Sequence, residues 1–255
     1  MRLGALLGPV TDGASPKTLA EQARRYGGEG FASLWSAQAI GRGFMITDPF
    51  VALSVAATVC DDVEVGTAVL QVPLYHPVDL AHRVLSLRQI CGDRLLLGVG
   101  AGSTQKDFDA FGRSYAQRFR DFRVGVRMLR ELLATGRLGT GKEAEVDLSP
   151  WPGVAGGPPL LLGSWGRGVV HAARKYDGWI ASANYRTPDE VIQALGEYRA
   201  AGGGRAIAST ILVHGQTDLG QLKAMLQRFA AAGFDDAVVM LQPGAPSPRD
   251  VRALL

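Results

Sequence analysis

Two glycine-rich segments are the places where this sequence could bind an anion. The first, GVGAGS at Gly98–Ser103, follows a run of leucines. The second, GSWGRG at Gly163–Gly168, would bring free backbone N–H groups, the Ser164 hydroxyl and the Arg167 guanidinium together at the start of a helix. Such donors at a helix N-terminus bind phosphate groups. The second segment therefore predicts a phosphate-binding loop.

The first segment fits a dinucleotide-binding fingerprint poorly. That fingerprint needs G-x-G-x-x-G in the first βα turn and an acidic residue about twenty positions later. Here Ser103 replaces the last glycine, the segment follows the fourth predicted strand, and Asp121 lies in a helix-like stretch. Two interpretations remain open: the glycines let a strand turn sharply at a barrel rim, or they line a ligand site at that rim.

The predicted strand carboxyl ends are rich in side chains that can form hydrogen bonds and poor in side chains that carry charge. The residues there are Gly8, Ser36, Ala37, Gln38, Thr67, Ala68, Gly100, Gly102, Ser103, Ser164, Trp165, Ser182, Asn184, His214 and Gln242. A hydrolase or aldolase would need an acid–base pair, a lysine or a metal there, and the four histidines lack ligand spacing. We therefore expect no metal, and an organic cofactor that brings its own chemistry.

Eight short β-rich runs and the helices between them must position these residues. The runs begin near Arg2, Ala32, Val63, Arg94, Leu160, Gly178, Ile207 and Ala237. Most starts lie about thirty residues apart, the length of one βα unit of a parallel sheet. With 255 residues, this predicts an α/β fold, a (β/α)8 TIM barrel forming one domain over residues 1–255. A Gly/Pro-rich excursion at about 136–159, with a small hairpin, interrupts the pattern.

Capping residues followed by proline mark several predicted helix starts. These pairs are Ser15-Pro16, Asp48-Pro49, His76-Pro77, Thr187-Pro188 and Ser247-Pro248. Glycines at positions 92, 136, 202 and 233 predict four helix ends. His76 is accordingly interpreted as a cap, and Trp35 and Trp179 as core residues.

Composition limits the partners and the setting. The formal charge is +3 and the basic residues form no block, so no nucleic-acid partner is expected. Two cysteines and no long apolar run predict a cytoplasmic protein without a membrane span. The short final helix would leave apolar surface uncovered, which favours a homodimer or higher homo-oligomer.

The segment from Val63 to Phe122 resembles the bacterial luciferase-like oxidoreductases. It contains a GTAV strand, an HP-led helix, a strand ending in GVGAG, and DFDAFG followed by an RFRDF helix. LWSAQ at Leu34–Gln38 and the stretch from Leu160 to Ser182 are also similar to that family. The resemblance implies a TIM barrel that binds FMN or the deazaflavin coenzyme F420 at the strand carboxyl ends and acts on a small organic substrate.

The resemblance also implies roles for individual residues. Thr67, Ala68 and Val69 would lie under the coenzyme ring, where the family often has a non-proline cis peptide. The phosphate would be held by Gly163, Ser164, Trp165, Gly166 and Arg167. The ribityl chain would be flanked by Gly100, Gly102 and Ser103.

Two features depart from the family pattern. Gln38-Ala39-Ile40 stands where many relatives have a histidine, and only His214 to Asp218 joins the seventh strand to its helix, where many relatives have a long insertion. An open site would expose reactive intermediates to water, which counts against oxygenation specifically. Gln38 is then expected to hydrogen-bond near the reacting edge, and His214 is the candidate for proton transfer.

These features leave several functions open. The leading hypothesis is a flavin-dependent oxidoreductase of the luciferase-like monooxygenase type that uses reduced FMN. The alternatives are an F420-dependent enzyme that transfers hydride and a flavin-binding protein without turnover. A phosphosugar isomerase is disfavoured because no carboxylate stands at a predicted strand end.

Overall fold

The computed structural model describes residues 1–8, 17–139 and 146–255. Within these ranges, eight parallel strands form a closed ring. The ring strands are β1 (Arg2–Leu6), β2 (Ser33–Ser36), β3 (Glu64–Thr67), β5 (Leu95–Gly100), β8 (Leu160–Gly163), β9 (Gly178–Ser182), β10 (Arg205–Val213) and β11 (Asp236–Leu241). The predicted α/β fold, a (β/α)8 TIM barrel, is confirmed.

The strands follow each other round the barrel in the order β3-β2-β1-β11-β10-β9-β8-β5, and pairing of β5 with β3 closes it. A short strand, β4 (Leu70–Gln71), continues beyond β3 and also pairs with β5. In the Gly/Pro-rich excursion, β6 (Arg137–Leu138) pairs antiparallel with β7 (Val146–Asp147), as the predicted hairpin requires. The residues between these two strands lie outside the described part of the chain.

Helices separate the strands and cover the outside of the barrel. They are α1 (Lys17–Gly28), α2 (Pro49–Val59), α3 (Pro77–Cys91), α4 (Gln105–Ala110), α5 (Arg118–Thr135), α6 (Arg167–Lys175), α7 (Pro188–Ala200), α8 (Leu219–Ala232) and α9 (Pro248–Arg252). In the described part of the chain, no helix is long and apolar enough to span a bilayer.

The predicted capping residues begin their helices as expected. Asp48 accepts from the Phe50 N–H, His76 Nδ1 accepts from the Val78 N–H, and Thr187 forms a reciprocal capping box with Glu190. Ser247 caps α9, its Oγ accepting from the Asp250 N–H. The predicted start at Ser15-Pro16 lies outside the described residues. The predicted glycines follow: Gly92, Gly136 and Gly233 cap their helices, and Gly202 comes one residue after the cap of α7.

A layer of large side chains fills the middle of the barrel. These buried residues are Leu6, Trp35, Leu96, Leu161, Ile180, Ile207 and Val238. Trp35 is the largest of them, and its Nε1 donates to Ser33 Oγ at 2.8 Å. Gly66 on the adjacent strand leaves room for the Trp35 ring, because a Cβ at that position would overlap it. Trp179 is equally buried but packs outside the ring, so both tryptophans are core residues as predicted.

An ion-pair network closes the amino end of the barrel. Its members are the first residues of four strands: Arg2, Glu64, Arg205 and Asp236. The Arg205 guanidinium donates to both Glu64 carboxylate oxygens, at 2.9 and 2.6 Å, and to Asp236 Oδ2 at 2.7 Å. Arg2 also lies against both carboxylates. This end of a TIM barrel contributes to stability, which leaves the carboxyl end for a binding site.

Gly66→Ala tests the packing around Trp35. The added methyl group must displace a fully buried ring, so we expect the free energy of unfolding to fall by about 1–3 kcal/mol. Denaturant titration measures the change. Gly196→Ala is the matched control, because that helical position faces open space and should gain about 0.5–1 kcal/mol. If Gly66→Ala were as stable as the wild type, the Trp35 ring would not pack tightly against Gly66.

Candidate functional site

Small side chains surround the carboxyl end of the barrel, one layer above the large ones. Side chains alternate along a strand, so the residues two positions beyond the large interior residues also point into the barrel. They face its carboxyl end, which we call the mouth. They include Gly8, Ala37, Gly98, Gly163, Ser182, Ser209 and Met240. Ala37, Ala68, Val69 and Met240 are partly exposed and pack on the interior layer. The mouth therefore has an apolar floor.

The connection after β3 forms one wall of this mouth. The peptide bond between Ala68 and Val69 is cis, at the place that the family resemblance implied. The Ala68 N–H donates to the Ser36 carbonyl at 2.8 Å, and Thr67 Oγ1 donates to the Gly98 carbonyl at 2.7 Å. Both bonds hold this connection, which we call the Ala68–Val69 shelf, against the neighbouring strands.

Two glycines of the glycine-rich segments accommodate the shelf. A Cβ on Gly100 would lie 2.8 Å from Val69 Cγ2, and a Cβ on Gly163 would lie 2.7 Å from Val69 Cγ1. Gly102 has φ +84, and a Cβ there would lie 2.7 Å from the ring of Phe108. These glycines thus allow close approach of β5, β8 and the shelf, which form one continuous surface.

The loop between β8 and α6 provides donors for an anion. Ser164 Oγ is buried and has no hydrogen-bond partner among the described residues. Gly166, with φ +58, precedes α6 without a side-chain cap. Arg167 is exposed and forms no hydrogen bond or ion pair in the described part of the chain. A buried hydroxyl without a partner is uncommon, so this loop fits a ligand with acceptor oxygens.

Aromatic packing holds this loop from behind. Trp165 packs edge-to-face on Trp179, with ring centroids 5.7 Å apart, and Trp179 Nε1 donates to the Ser164 carbonyl at 2.9 Å. The Arg186 guanidinium covers the Trp165 ring at 4.2 Å. The predicted phosphate-loop residues Gly163 to Arg167 therefore form one ordered turn at the barrel rim.

Gln38 is tied to two other groups near the mouth. Its Oε1 accepts from the Gln71 N–H, and its Nε2 donates to the Tyr75 hydroxyl, both at 2.8 Å. Burial raises the pKa of Tyr75 well above its usual range, so this hydroxyl stays protonated at neutral pH. Within the described part of the chain, the second N–H of this amide has no partner. Its predicted contact with the reacting edge stays a prediction.

His214 and Ser103 are both exposed, as Gly166 and Arg167 are among the other predicted site residues. His214 is exposed just beyond β10, and its backbone N–H donates to Thr217 Oγ1 at 2.7 Å. Ser103 is exposed as well, and its carbonyl accepts from the Tyr115 hydroxyl at 2.9 Å. Proton transfer by His214 and contact of Ser103 with a ribityl chain both stay predictions.

Sequence reasoning missed a buried carboxylate beside the site. Asp107 is fully buried and accepts from Arg42 at 2.8 and 2.5 Å, from Gln71 Nε2 at 2.6 Å and from the Ile40 N–H at 3.2 Å. Burial alone would raise the pKa of Asp107, but these hydrogen bonds outweigh it and hold the pKa below its usual value. The carboxylate thus fastens the loop after β2 to β4 and α4. The DFDAFG segment was the available signal; nothing marked Arg42 as its partner.

Comparison with known proteins decides the family. The sequence model of the luciferase-like monooxygenases matches residues 2–242. This chain belongs to that family. Among the described residues, no group of three or more His, Cys, Asp or Glu side chains could hold a metal ion.

One curated relative is the 4-hydroxyprotoasukamycin monooxygenase of Streptomyces nodosus subsp. asukaensis. It is 30% identical over 147 residues, which cover 53% of this chain and 38% of that protein. The match therefore spans well under two thirds of the relative's length.

Several solved structures share the fold over most of the chain. Monooxygenase RslO1 from Streptomyces bottropensis superposes with a TM-score of 0.79 at 18% identity, covering 100% of this chain and 96% of that one. An F420-dependent secondary alcohol dehydrogenase with an F420-acetone adduct gives 0.77 at 16% identity, covering 100% and 97%. The oxygenating constituent of 3,6-diketocamphane monooxygenase from Pseudomonas putida, in complex with FMN, gives 0.69 at 17% identity, covering 89% and 71%.

Asp107→Asn tests the buried network of this luciferase-like chain. Removing the negative charge leaves Arg42 without its ion-pair partner, so we expect the free energy of unfolding at neutral pH to fall by about 1.5–3 kcal/mol. Because the pKa of Asp107 is lower in the folded state, the wild-type advantage is present at neutral pH. It is lost as the pH falls through the folded-state pKa. Denaturant titrations from neutral to acidic pH measure this difference.

Asp109→Asn is the matched control, because Asp109 is exposed on the same helix. Its effect should stay within about 0.5 kcal/mol at each pH. A stability difference for Asp107→Asn that does not shrink in acid would show that the carboxylate charge is not what stabilises this loop.

Proposed function

We propose that this chain is a flavin-dependent oxidoreductase of the luciferase-like monooxygenase type, acting on a small organic substrate with reduced FMN. The observation that carries the proposal is the buried Ser164 Oγ beside the uncapped start of α6, a hydroxyl without a hydrogen-bond partner among the described residues. It lies on the same barrel rim as the Ala68–Val69 shelf and the small residues of the mouth. A flat ring with a phosphate tail matches this arrangement.

Each part of the coenzyme has a proposed place on this rim. Gly163–Arg167 would hold the phosphate through N–H groups, a hydroxyl and a guanidinium. Thr67–Val69 would support the ring, since Val69 closes the gap above Gly100 and Gly163. Gly100, Gly102 and Ser103 would flank the ribityl chain. Thr67–Val69 would thereby support the ring from below, and the phosphate loop would anchor its tail.

The protein's own groups would then orient and protect the reactants. Reduced FMN supplies the two electrons for the reaction when bound. The side chain of Gln38, fixed by Gln71 and Tyr75, can offer its remaining N–H to a carbonyl oxygen near the reacting edge. His214 is proposed to transfer a proton through its imidazole at the rim. The apolar floor would keep water from the underside of the ring.

A second candidate is F420-dependent hydride transfer. The structure with an F420-acetone adduct superposes on the full length of this chain. Residues 214–218 join β10 directly to α8, so this connection contributes no long cover over the mouth. Hydride transfer tolerates such an opening better than oxygenation does. FMN and F420 both present a tricyclic ring and a phosphate, so the same rim residues serve either coenzyme.

Titrations with FMN and with F420, followed by fluorescence, test the proposal. Binding well below millimolar by either coenzyme supports it, and the tighter one identifies the cofactor. Arg167→Ala should weaken binding by about 1.5–3 kcal/mol, because a charged hydrogen bond to the phosphate is lost. Arg174→Ala, at the far end of α6, is the control and should bind as the wild type does.

The outcomes separate the hypotheses. Absence of binding by both coenzymes would overturn the proposed function, and unchanged affinity in Arg167→Ala would place the phosphate elsewhere. Turnover is then measured with the reduced coenzyme and a panel of aldehydes, sulfonates and enones. Substrate-dependent oxidation of the coenzyme supports an enzyme, whereas binding without turnover favours a flavin-binding protein.

A further inference from the structure

The strand β10 has one extra residue relative to β11 within their paired region. Ala208 pairs with Ala237 and Ile211 pairs with Val239, so two residues of β10 lie opposite Val238 alone. Those two residues are Ser209 and Thr210. Thr210 has φ +59, an uncommon conformation for a β-branched residue because its Cβ crowds the backbone. The bulge is therefore held at a conformational cost, and bulges at barrel rims redirect side chains.

The hydroxyl groups of the bulge point the same way. In a regular strand, neighbouring side chains point to opposite faces, yet Ser209 Oγ lies 3.0 Å from Thr210 Oγ1. Ile207, two residues earlier, and Val238, across the bulge, both belong to the interior layer. Ser209 is 2% exposed and Thr210 is half-buried. This hydroxyl pair therefore faces the mouth of the barrel, with Thr210 nearer to solvent.

The hydroxyl pair stands across the mouth from the Ala68–Val69 shelf. In the closed ring, β10 and β3 are separated by three strands on either side, so they form opposite walls. The wall around β2 and β3 presents Ala37 and the shelf, whereas the wall around β9 and β10 presents hydroxyl groups. A molecule spanning the mouth thus meets an apolar side and a hydrogen-bonding side.

We propose that the hydroxyl pair binds the uracil-like edge of the coenzyme ring, with Thr210 as the contact and Ser209 as the positioning residue. This inference rests on the proposed function and deepens it. When one hydroxyl donates to the other, the pair still has one O–H to donate, polarised by its neighbour. The uracil-like edge carries carbonyl oxygens that accept such a bond, and FMN and F420 share this edge. The phosphate loop on β8 and the pair on β10 would then fix the ring at two points.

The test uses whichever of FMN and F420 the wild type binds, in fluorescence titrations with the full chain. Thr210→Val keeps the β-branched shape without the hydroxyl, and it should bind about 3- to 10-fold more weakly, the effect of one neutral hydrogen bond. Thr210→Ser keeps the hydroxyl and should bind nearly as tightly as the wild type. Thr58→Val, on the exposed face of α2, is the control and should leave affinity unchanged.

Vibrational spectroscopy of the bound ring separates contact from structure. The ring carbonyl stretch should move to higher wavenumber in Thr210→Val, because its hydrogen-bond donor is lost. Ser209→Ala should move it in the same direction by a smaller amount. Thr210→Gly relieves the positive φ, so it should unfold at an equal or higher denaturant concentration while binding as weakly as Thr210→Val.

The results distinguish the two levels of the proposal. A wild type that binds neither coenzyme removes the proposed function and this inference together. Suppose instead that the wild type binds a coenzyme, and that Thr210→Val changes neither the affinity nor the carbonyl stretch. The role of the hydroxyl pair is then overturned, and the proposed function stands.

Discussion

The interior of an eight-stranded barrel must be filled by side chains, and this chain fills it unevenly. Trp35 and six aliphatic residues occupy the middle layer, so the barrel is solid there. The next layer toward the carboxyl end consists largely of glycine, alanine and serine, which cannot fill the same width. This small-residue layer is the floor of the proposed site. The closely packed middle layer stabilises the barrel, and the small residues above it form the proposed place for a ligand.

The ends of the barrel differ in the chemistry they present. Arginine and carboxylate side chains satisfy one another at the amino end, through Arg205, Glu64, Asp236 and Arg2. At the carboxyl end, the charge of Asp107 is compensated by Arg42, so the network stabilises a loop and leaves no free carboxylate at that position. The polar side chains placed around the mouth are the hydroxyls of Ser164, Ser209 and Thr210 and the amide of Gln38. Such groups suit the proposed coenzyme, which would itself carry out the electron transfer.

The sequence predicted the elements better than it predicted their contacts. The thirty-residue period and the capping residues depend on local chemistry, which is why the strands near Arg2 to Ala237 and the cap at Thr187 could be found in advance. The role of Gly100 and Gly163 could not, because their partner Val69 is distant in sequence and approaches only when the ring closes. The ion pair of Arg42 with Asp107 spans 65 residues, and the bulge at Thr210 depends on the pairing register with β11.

A crystal structure of the protein with bound FMN tests the central claim most directly, namely that the small-residue mouth holds a planar coenzyme. The account predicts the ring between the Ala68–Val69 shelf and the wall formed by β10, with the phosphate hydrogen-bonded to Ser164 Oγ at the start of α6. A ring outside the mouth, or a phosphate bound away from the loop between β8 and α6, would contradict it.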